Sequence, residues 1–134
     1  MPVPWERPPP RQSHKRICVV DDDEWVADSL RSLLETFEFE VQSYLSATEF
    51  LADDQRRSMG CLIIDHHMPD ISGLDVVGRL REEGVRFPVI LISGRLDANT
   101  RQRAANLGIA GVVEKPFAAN HLIDLIRTAL LEHH

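Results

Sequence analysis

The chain has 134 residues, a net charge of -6 and 43% hydrophobic residues, the composition of an ordinary soluble globular domain. The negative charge argues against direct nucleic-acid binding by this domain, because phosphate binding depends on clustered Lys and Arg. No apolar run is long enough to span a membrane and the N-terminus has no apolar signal-peptide core, so a cytoplasmic location is expected.

The two ends of the chain are expected to lie outside the folded domain. Residues 1–14 are predicted to be a flexible tail, because five of the eight prolines fall within the first ten residues. Residues 131–134, "LEHH", resemble the start of a polyhistidine tag. The predicted domain is therefore 15–130, and it is expected to have been cut from a longer protein.

Five short apolar runs alternate with helical patterns along this domain. Four runs are nearly continuous in apolar residues, which is typical of parallel strands buried on both faces, whereas the second is mixed and suits an edge strand. Cys18 and Cys61 lie inside two of the runs and are predicted to be reduced core residues. The predicted strands are 17–20, 39–41, 61–64, 87–92 and 110–113.

Helical patterns follow each of these strands. The second helix opens on the capping-box pattern "SATE" at 46–49, and the third is expected to end near Gly84. The fourth, 97–107, offers little besides alanine and Leu107 for burial, so it is expected to be the least firmly held. Apolar residues at helical spacing mark the first, third and fifth helices: Val26, Leu30, Leu33, Leu34 and Phe37; Leu74, Val77 and Leu80; Leu122, Leu125, Ile126, Ala129 and Leu130.

Alternating strands and helices predict an α/β fold, in which a parallel sheet carries helices on both faces. In such sheets ligands bind beyond the carboxyl ends of the strands. The residues that directly follow the apolar runs are therefore the candidate site: Asp21, Asp22 and Asp23; Asp65; Ser93 and Gly94; Lys115 and Pro116.

These residues suggest a particular chemistry. Carboxylates from two strands converge on one edge, and clustered carboxylates repel one another unless a cation neutralises them. Hard oxygen ligands favour Mg²⁺, with Mn²⁺ as an alternative, over Zn²⁺. A metal and a lysine can take the charge of a phosphoryl group while a hydroxyl donates a hydrogen bond to it. The strand ends thus predict a phosphoryl site.

Four motifs at these strand ends carry a family resemblance. "VVDDD", "IIDHHMPDISG", "LISG" and "EKPF" occur in the order and at the spacing of the receiver domain of two-component response regulators, which the sequence resembles from about Lys15 to Leu130. The wording "ISG" and "EKPF" is nearest to the nitrogen-fixation-regulator branch, which usually carries a helix-turn-helix output domain. The resemblance implies a flavodoxin-like, doubly wound (βα)5 fold with a five-stranded parallel sheet in the order 2-1-3-4-5.

The resemblance also implies roles for individual residues. Asp65 would accept the phosphoryl group, Ser93 would contact it, and Lys115 would be its charge partner. The Mg²⁺ ligands would be Asp21, Asp22, Asp65 and the main-chain carbonyl of His67. Pro69 and Gly73 match the turn after the acceptor, and Pro116 matches a Lys-Pro bond that is often cis.

Some positions depart from the family or remain open. Val112 stands where the family usually has Tyr or Phe, and the hydroxyl is Ser93 rather than the commoner Thr. Asp23 is predicted to open the first helix rather than bind metal. His66 and His67 are expected to point in opposite directions, which argues against an imidazole metal site. Trp25 is either a core residue or an exposed contact beside the acidic pocket.

The implied function is that of a signalling switch. A sensor histidine kinase or a histidine phosphotransfer protein would donate the phosphoryl group, and the domain would support only its own phosphorylation and dephosphorylation. A C-terminal output domain and dimerisation through the face formed by the fourth helix, the fifth strand and the fifth helix are further implications. The alternative is a Mg²⁺-dependent phosphohydrolase with an aspartate nucleophile, although the chain has no insertion that could form a substrate cap.

Overall fold

The sheet has the predicted topology. A computed structural model describes residues 16–53 and 59–132, and the five parallel strands lie in the order β2-β1-β3-β4-β5. This confirms the doubly wound order 2-1-3-4-5. The strands are β1 Arg16–Val20, β2 Glu40–Tyr44, β3 Cys61–Asp65, β4 Val89–Ser93 and β5 Gly111–Glu114.

Five helices connect or follow the strands, and side chains cap the N-termini of four of them. Asp23, Ser46, Ser72 and Asp97 each accept a hydrogen bond from a main-chain N–H in the first turn of the helix that follows. Gly84, at φ +84°, follows the end of the third helix, as predicted. The helices are α1 Glu24–Thr36, α2 Ala47–Ala52, α3 Gly73–Glu82, α4 Ala98–Asn106 and α5 Ala119–Glu132.

The sheet separates two hydrophobic cores, because successive side chains on a strand point to opposite faces. On β1, Ile17 and Val19 pack with α1 and α5, while Cys18 and Val20 pack with α2, α3 and α4. The central strands β1, β3 and β4 are buried along nearly their whole length. Cys18 and Cys61 are both free and buried, which confirms their assignment to the core.

The edge strands differ from the expectations in detail. β2 is an edge strand as predicted, but it runs from Glu40 to Tyr44 rather than over 39–41. The run 110–113 was expected to be buried on both faces, and this is wrong: in β5 only Val113 is fully buried. β5 closes the other edge of the sheet and has a neighbouring strand on one side only, so Gly111 and Val112 stay partly exposed.

The weak packing of α4 is confirmed. Ala104 is its one buried residue, and polar contacts add to its attachment to α3. The Arg103 guanidinium forms an ion pair with Asp75 of α3. The half-buried Arg81 of α3 donates from Nε to the carbonyl oxygen of Leu107 at 3.1 Å, just past the end of α4. Little apolar burial resists a movement of α4.

The predicted domain ends remain predictions. Residues 1–14 and 133–134 lie outside the described residues, and α5 continues through Glu132, beyond the boundary expected at 130. Among the helices of the described residues, none combines the length and the apolar character needed to cross a bilayer.

Candidate functional site

Two buried aspartates lie at the carboxyl edge of the sheet. Asp21 follows β1 and is 1% exposed, and its Oδ1 accepts a hydrogen bond from the main-chain N–H of Asp23 at 2.9 Å. Asp65 is the last residue of β3 and is 5% exposed. Because β1 and β3 are adjacent parallel strands, their ends place these two carboxyl groups side by side.

Lys115 is the cation at this edge. Its Nζ lies 3.4 Å from Asp65 Oδ1 and 3.5 Å from Asp21 Oδ2. The main-chain N–H of Lys115 donates to the carbonyl oxygen of Ser93 at 2.8 Å, which fixes the end of β5 to the end of β4. The following Lys115–Pro116 bond is cis. Three of the predicted site residues are thus brought into direct contact.

The carboxylate set fits a hard divalent cation. Oxygens of Asp21, Asp22 and Asp65 all lie within 4.8 Å of one another. Asp21 Oδ2 and Asp65 Oδ1 are buried and accept no hydrogen bond from the described residues, so each has a lone pair available for another ligand. An all-oxygen donor set of this kind suits Mg²⁺ or Mn²⁺.

Burial raises the pKa of both inner carboxyl groups. For Asp65, the main cause is removal from water, which the positive charge of Lys115 partly offsets. For Asp21, burial also comes first, the hydrogen bond from Asp23 opposes it, and the charge of Asp65 adds to it. Without a bound metal ion, ionisation of both carboxyl groups is therefore unfavourable in the folded protein, even with Lys115 beside them.

This pair predicts a pH-dependent stability. A raised folded-state pKa stabilises the fold below the ordinary aspartate pKa of 3.8, and that contribution is lost as the pH rises through the folded-state pKa. At neutral pH without metal, Asp65→Asn should therefore raise the free energy of unfolding by on the order of 1 kcal/mol. The gain should shrink as the pH falls toward 4. Urea denaturation in EDTA across this range measures it.

The exposed Asp22 supplies the matched control for this experiment. Asp22→Asn should change the unfolding free energy by less than about 0.5 kcal/mol, as is usual for surface positions. Added Mg²⁺ should stabilise the wild type more than Asp65→Asn, because only the wild type keeps both inner carboxylates. A wild type more stable than Asp65→Asn at neutral pH in EDTA would contradict the assigned direction.

Asp23 caps α1, as predicted. Its Oδ1 accepts hydrogen bonds from the main-chain N–H of Trp25 at 2.9 Å and of Val26 at 3.4 Å. Trp25 is 83% exposed, which resolves the open alternative: it is a surface residue one turn from the carboxylates rather than part of a core. Its indole can therefore report on cation binding.

Substitutions at Asp22 and Asp23 should separate metal binding from helix capping. Asp22→Ala should weaken Mg²⁺ binding with little change in stability. Asp23→Ala should cost about 1 kcal/mol of stability, the usual value of an N-cap, and leave Mg²⁺ affinity nearly unchanged. Trp25 fluorescence follows the titration in a Trp5→Phe background, which removes the emission of the second tryptophan in the chain. A larger loss of Mg²⁺ affinity in Asp23→Ala than in Asp22→Ala would show that the metal-binding pair is Asp22 and Asp23 rather than Asp21 and Asp22.

Ser93 ends β4 as a fully buried hydroxyl. Its Oγ donates to the carbonyl oxygen of Arg95 at 2.7 Å and accepts from the main-chain N–H of Arg95 at 3.1 Å. It also lies 3.0 Å from Nε2 of His67. The loop after Ser93 is also attached to β5, since the main-chain N–H of Leu96 donates to the Glu114 carboxylate at 3.4 Å. The predicted hydroxyl is therefore present, but it already has partners.

The loop after Asp65 is held closely against the acceptor strand. A Cβ on Gly73 would lie 2.6 Å from the main-chain oxygen of Asp65, so no larger residue fits there without a shift. The N–H of Gly73 donates to the carbonyl oxygen of His66 at 3.0 Å. Asp70 accepts from the main-chain N–H of Thr48 at 3.0 Å and from its hydroxyl at 2.9 Å. The loop is thus attached to both α2 and β3.

The expected divergence of the two histidine rings is wrong. β3 ends at Asp65, so His66 and His67 lie in the loop rather than in extended strand, and their ring centroids are 4.9 Å apart at an interplanar angle of 63°. The cluster of possible metal ligands found among the described residues is the aspartate set. The main-chain carbonyl of His67 as a metal ligand stays a prediction.

Two partners of Ser93 have no direct signal in the sequence. One is the His67 imidazole, whose hydrogen bond to Ser93 joins positions 26 residues apart. Arg95 contributes only main-chain groups, which any residue could supply. Both contacts depend on the path of the loops after β3 and β4, which apolar periodicity does not record.

The fold and this constellation together define a class of protein. The profile of the response regulator receiver domain family matches residues 17–127. The chain belongs to this family, whose members serve a phosphoryl-accepting role in signalling and bind Mg²⁺ at an acidic cluster. The family prediction made from the motifs is confirmed.

Particular relatives agree with this placement. The chain is 42% identical over 114 residues to the response regulator protein TmoT of Ectopseudomonas mendocina. The aligned region covers 85% of this chain and 52% of TmoT. The chain is 37% identical over 114 residues to the transcriptional regulatory protein FixJ of Azorhizobium caulinodans, covering 85% and 54%. FixJ among the matches is consistent with the branch suggested by the motif wording.

A solved structure supports the fold. The CheY-like receiver domain protein from Methanospirillum hungatei JF-1 superposes with a TM-score of 0.82 at 26% identity, over 88% of this chain and 94% of that one. The chain spans about half the length of the curated relatives described above.

Proposed function

We propose that Asp65 is the residue that accepts the phosphoryl group, from the phosphohistidine of a sensor kinase or of a histidine phosphotransfer protein. One observation carries this assignment: Asp65 Oδ1 is buried, accepts no hydrogen bond from the described residues, and lies 3.4 Å from the Lys115 ammonium. A carboxylate oxygen with an available lone pair beside a fixed cation is suited to attack phosphorus. Asp21 is more enclosed and Asp22 more exposed.

The transfer exchanges one bond for another. A carboxylate oxygen of Asp65 forms a bond to phosphorus as the P–N bond to the donor imidazole breaks, and the electron pair leaves with the imidazole nitrogen. Lys115 offsets the negative charge on the phosphoryl oxygens. Ser93 donates a hydrogen bond from its hydroxyl to one of them. The product is an acyl phosphate on Asp65.

The metal assignment follows from the same oxygens. Asp21, Asp22, Asp65 and the main-chain carbonyl of His67 would hold Mg²⁺, with Mn²⁺ as the alternative. When bound, the ion supplies positive charge that lowers the repulsion between the carboxylates and the incoming phosphoryl group. The raised pKa of the inner carboxyl groups supports this proposal, because a neighbouring cation relieves the cost of their ionisation.

Phosphorylation should act on the β4-α4 loop. A phosphoryl group adds roughly -1.5 to -2 charges. Its oxygens compete with the main-chain carbonyl oxygen of Arg95 for the hydrogen bond that the Ser93 hydroxyl donates. Ser93 begins the loop that leads into α4, the helix with the least apolar burial. A movement of the Ser93 hydroxyl should therefore displace α4, the helix with the least apolar packing to resist it.

Hydrogen exchange should locate the response. With beryllofluoride and Mg²⁺ as a phosphoryl mimic, exchange rates over 93–107 should change several-fold, and those over β5 should change less. Val112 is half-buried and packs against the core beneath α4, and a β-branched residue on a strand has few rotamers to exchange. Equal or larger changes around Val112 would show that coupling runs through β5 instead.

The wider role follows from the same proposal. The match covers only about half of the relatives' length, which supports a further domain beside the receiver, and we propose that it is an output domain C-terminal to it. We place the protein in the cytoplasm, where a kinase's phosphohistidine is available, and propose dimerisation through the α4-β5-α5 face. No activity is proposed beyond the domain's own phosphorylation and dephosphorylation.

A turnover assay separates this role from that of a hydrolase. With Mg²⁺ and a small acyl phosphate, a receiver should take up one phosphoryl group per chain and release it slowly. With a generic phosphate ester such as p-nitrophenyl phosphate, it should show no sustained release of product. Many turnovers of the ester, lost in Asp65→Asn, would favour the aspartate-dependent phosphohydrolase.

A further inference from the structure

The Ser93 hydroxyl has no free hydrogen-bonding capacity in this structure. A serine hydroxyl carries one proton and two lone pairs. The proton goes to the carbonyl oxygen of Arg95 at 2.7 Å, because that oxygen can only accept. One lone pair accepts the N–H of Arg95 at 3.1 Å. The remaining partner, Nε2 of His67 at 3.0 Å, therefore faces the second lone pair.

This arrangement fixes the role of the imidazole. Since the hydroxyl proton is already donated, His67 Nε2 must carry a hydrogen and donate it to Ser93 Oγ. The bond joins the loop after β3 to the loop after β4. It therefore links the segment next to Asp65 with the start of the loop that leads to α4. His66 has a ring beside it but makes no such contact: its Nδ1 is buried and finds no partner in the described residues.

The phosphorylated state needs a different arrangement of the same hydroxyl. To donate to a phosphoryl oxygen, Ser93 must withdraw its proton from Arg95 and turn its Oγ toward Asp65. The His67 bond holds the Oγ where it is. Hence the bond belongs to the unphosphorylated arrangement and opposes the change.

We propose that the His67 imidazole is a positioning residue that holds Ser93, and with it the β4-α4 loop, in the unphosphorylated arrangement. This inference rests on the proposed function of Asp65 and Ser93 and adds a regulator of that site. A ligand shifts a two-state equilibrium through contacts that differ between the states. Removing a contact present only in the inactive state therefore favours the active one.

The test compares beryllofluoride binding, in the presence of saturating Mg²⁺, across three variants. His67→Phe keeps a ring but has no donor, and should bind beryllofluoride roughly two- to tenfold more tightly, the factor expected for one net hydrogen bond. His66→Phe is the matched control and should bind within about twofold of the wild type, since no hydrogen bond to Ser93 is lost. His67→Gln retains a side-chain N–H donor and should return toward the wild-type affinity.

Two further readouts separate this role from a structural one. Mg²⁺ affinity without beryllofluoride is measured for every variant, and the tighter beryllofluoride binding of His67→Phe should remain when all variants are compared at saturating Mg²⁺. In the wild type, ¹⁵N NMR should show a hydrogen on His67 Nε2, and its signal should move when beryllofluoride and Mg²⁺ are added. This measurement needs no substitution, so it decides the matter even if a variant fails to fold.

Each failure has a distinct meaning. Unchanged or weaker beryllofluoride binding in His67→Phe, or a His67 Nε2 signal that does not respond in the wild type, would overturn the role of His67. A wild type that neither binds beryllofluoride nor takes up a phosphoryl group would instead overturn the proposed function of Asp65.

Discussion

Asp65→Asn is expected to abolish labelling by a small acyl phosphate in the presence of Mg²⁺. The amide nitrogen and oxygen of Asn are far weaker nucleophiles than a carboxylate, and no other carboxylate has the same setting. Asp21 is more enclosed, at 1% exposed against 5% for Asp65, and its Oδ1 accepts a hydrogen bond from the main-chain N–H of Asp23. Intact-protein mass spectrometry should show the wild type heavier by one phosphate and the variant unchanged.

The neighbouring aspartates supply controls for this loss. Asp22→Asn should still be labelled, more slowly and with a requirement for more Mg²⁺, because it loses one metal ligand. Asp23→Asn should be labelled like the wild type, since Asn is also a good N-cap. Full labelling of Asp65→Asn would remove the acceptor role from this residue.

Gly73→Ala should destabilise the protein by about 1–3 kcal/mol, the usual cost of overpacking a tight site. The added Cβ would lie 2.6 Å from the main-chain oxygen of Asp65 and 3.0 Å from Cα of His66. These are backbone atoms of the acceptor strand and its loop, so they cannot rotate away as a side chain would. Labelling of Asp65 should also slow, because relief of the clash moves its backbone.

Gly78 offers the matched comparison on the same helix. A Cβ there would meet no atom within 4 Å, and Gly78→Ala should stabilise the protein by about 0.5–1 kcal/mol through the better helix propensity of alanine. The two alanine substitutions should therefore shift the midpoint of urea denaturation in opposite directions. A Gly73→Ala variant as stable as the wild type would show that the contact with Asp65 is loose.

The strand-end residues could be predicted because the fold positions them by topology alone. Once β1, β3, β4 and β5 are parallel neighbours, the residue after each apolar run must come to the same edge of the sheet. Asp65 and Lys115 therefore lie in contact although 50 positions separate them in the chain. The capping role of Asp23 could be distinguished from the metal-binding role of Asp21 and Asp22, because a helix begins directly after Asp23.

The loops could not be predicted in the same way. The expectation for the His66-His67 pair assumed extended backbone, and it failed because β3 had already ended. The exposure of Trp25 could not be predicted, because helical spacing shows which face of the helix a residue lies on but not whether another element covers that face. The bonds of Ser93 were hidden because they depend on where two loops meet in space.

The most direct test of the account is to map the label on the wild-type protein. The chain is treated with acetyl phosphate and Mg²⁺, the acyl phosphate is trapped by borohydride reduction, and peptides are sequenced by mass spectrometry. We expect one modification per chain, at Asp65, that does not form in EDTA. Modification at another residue, or labelling that is unaffected by EDTA, would contradict it.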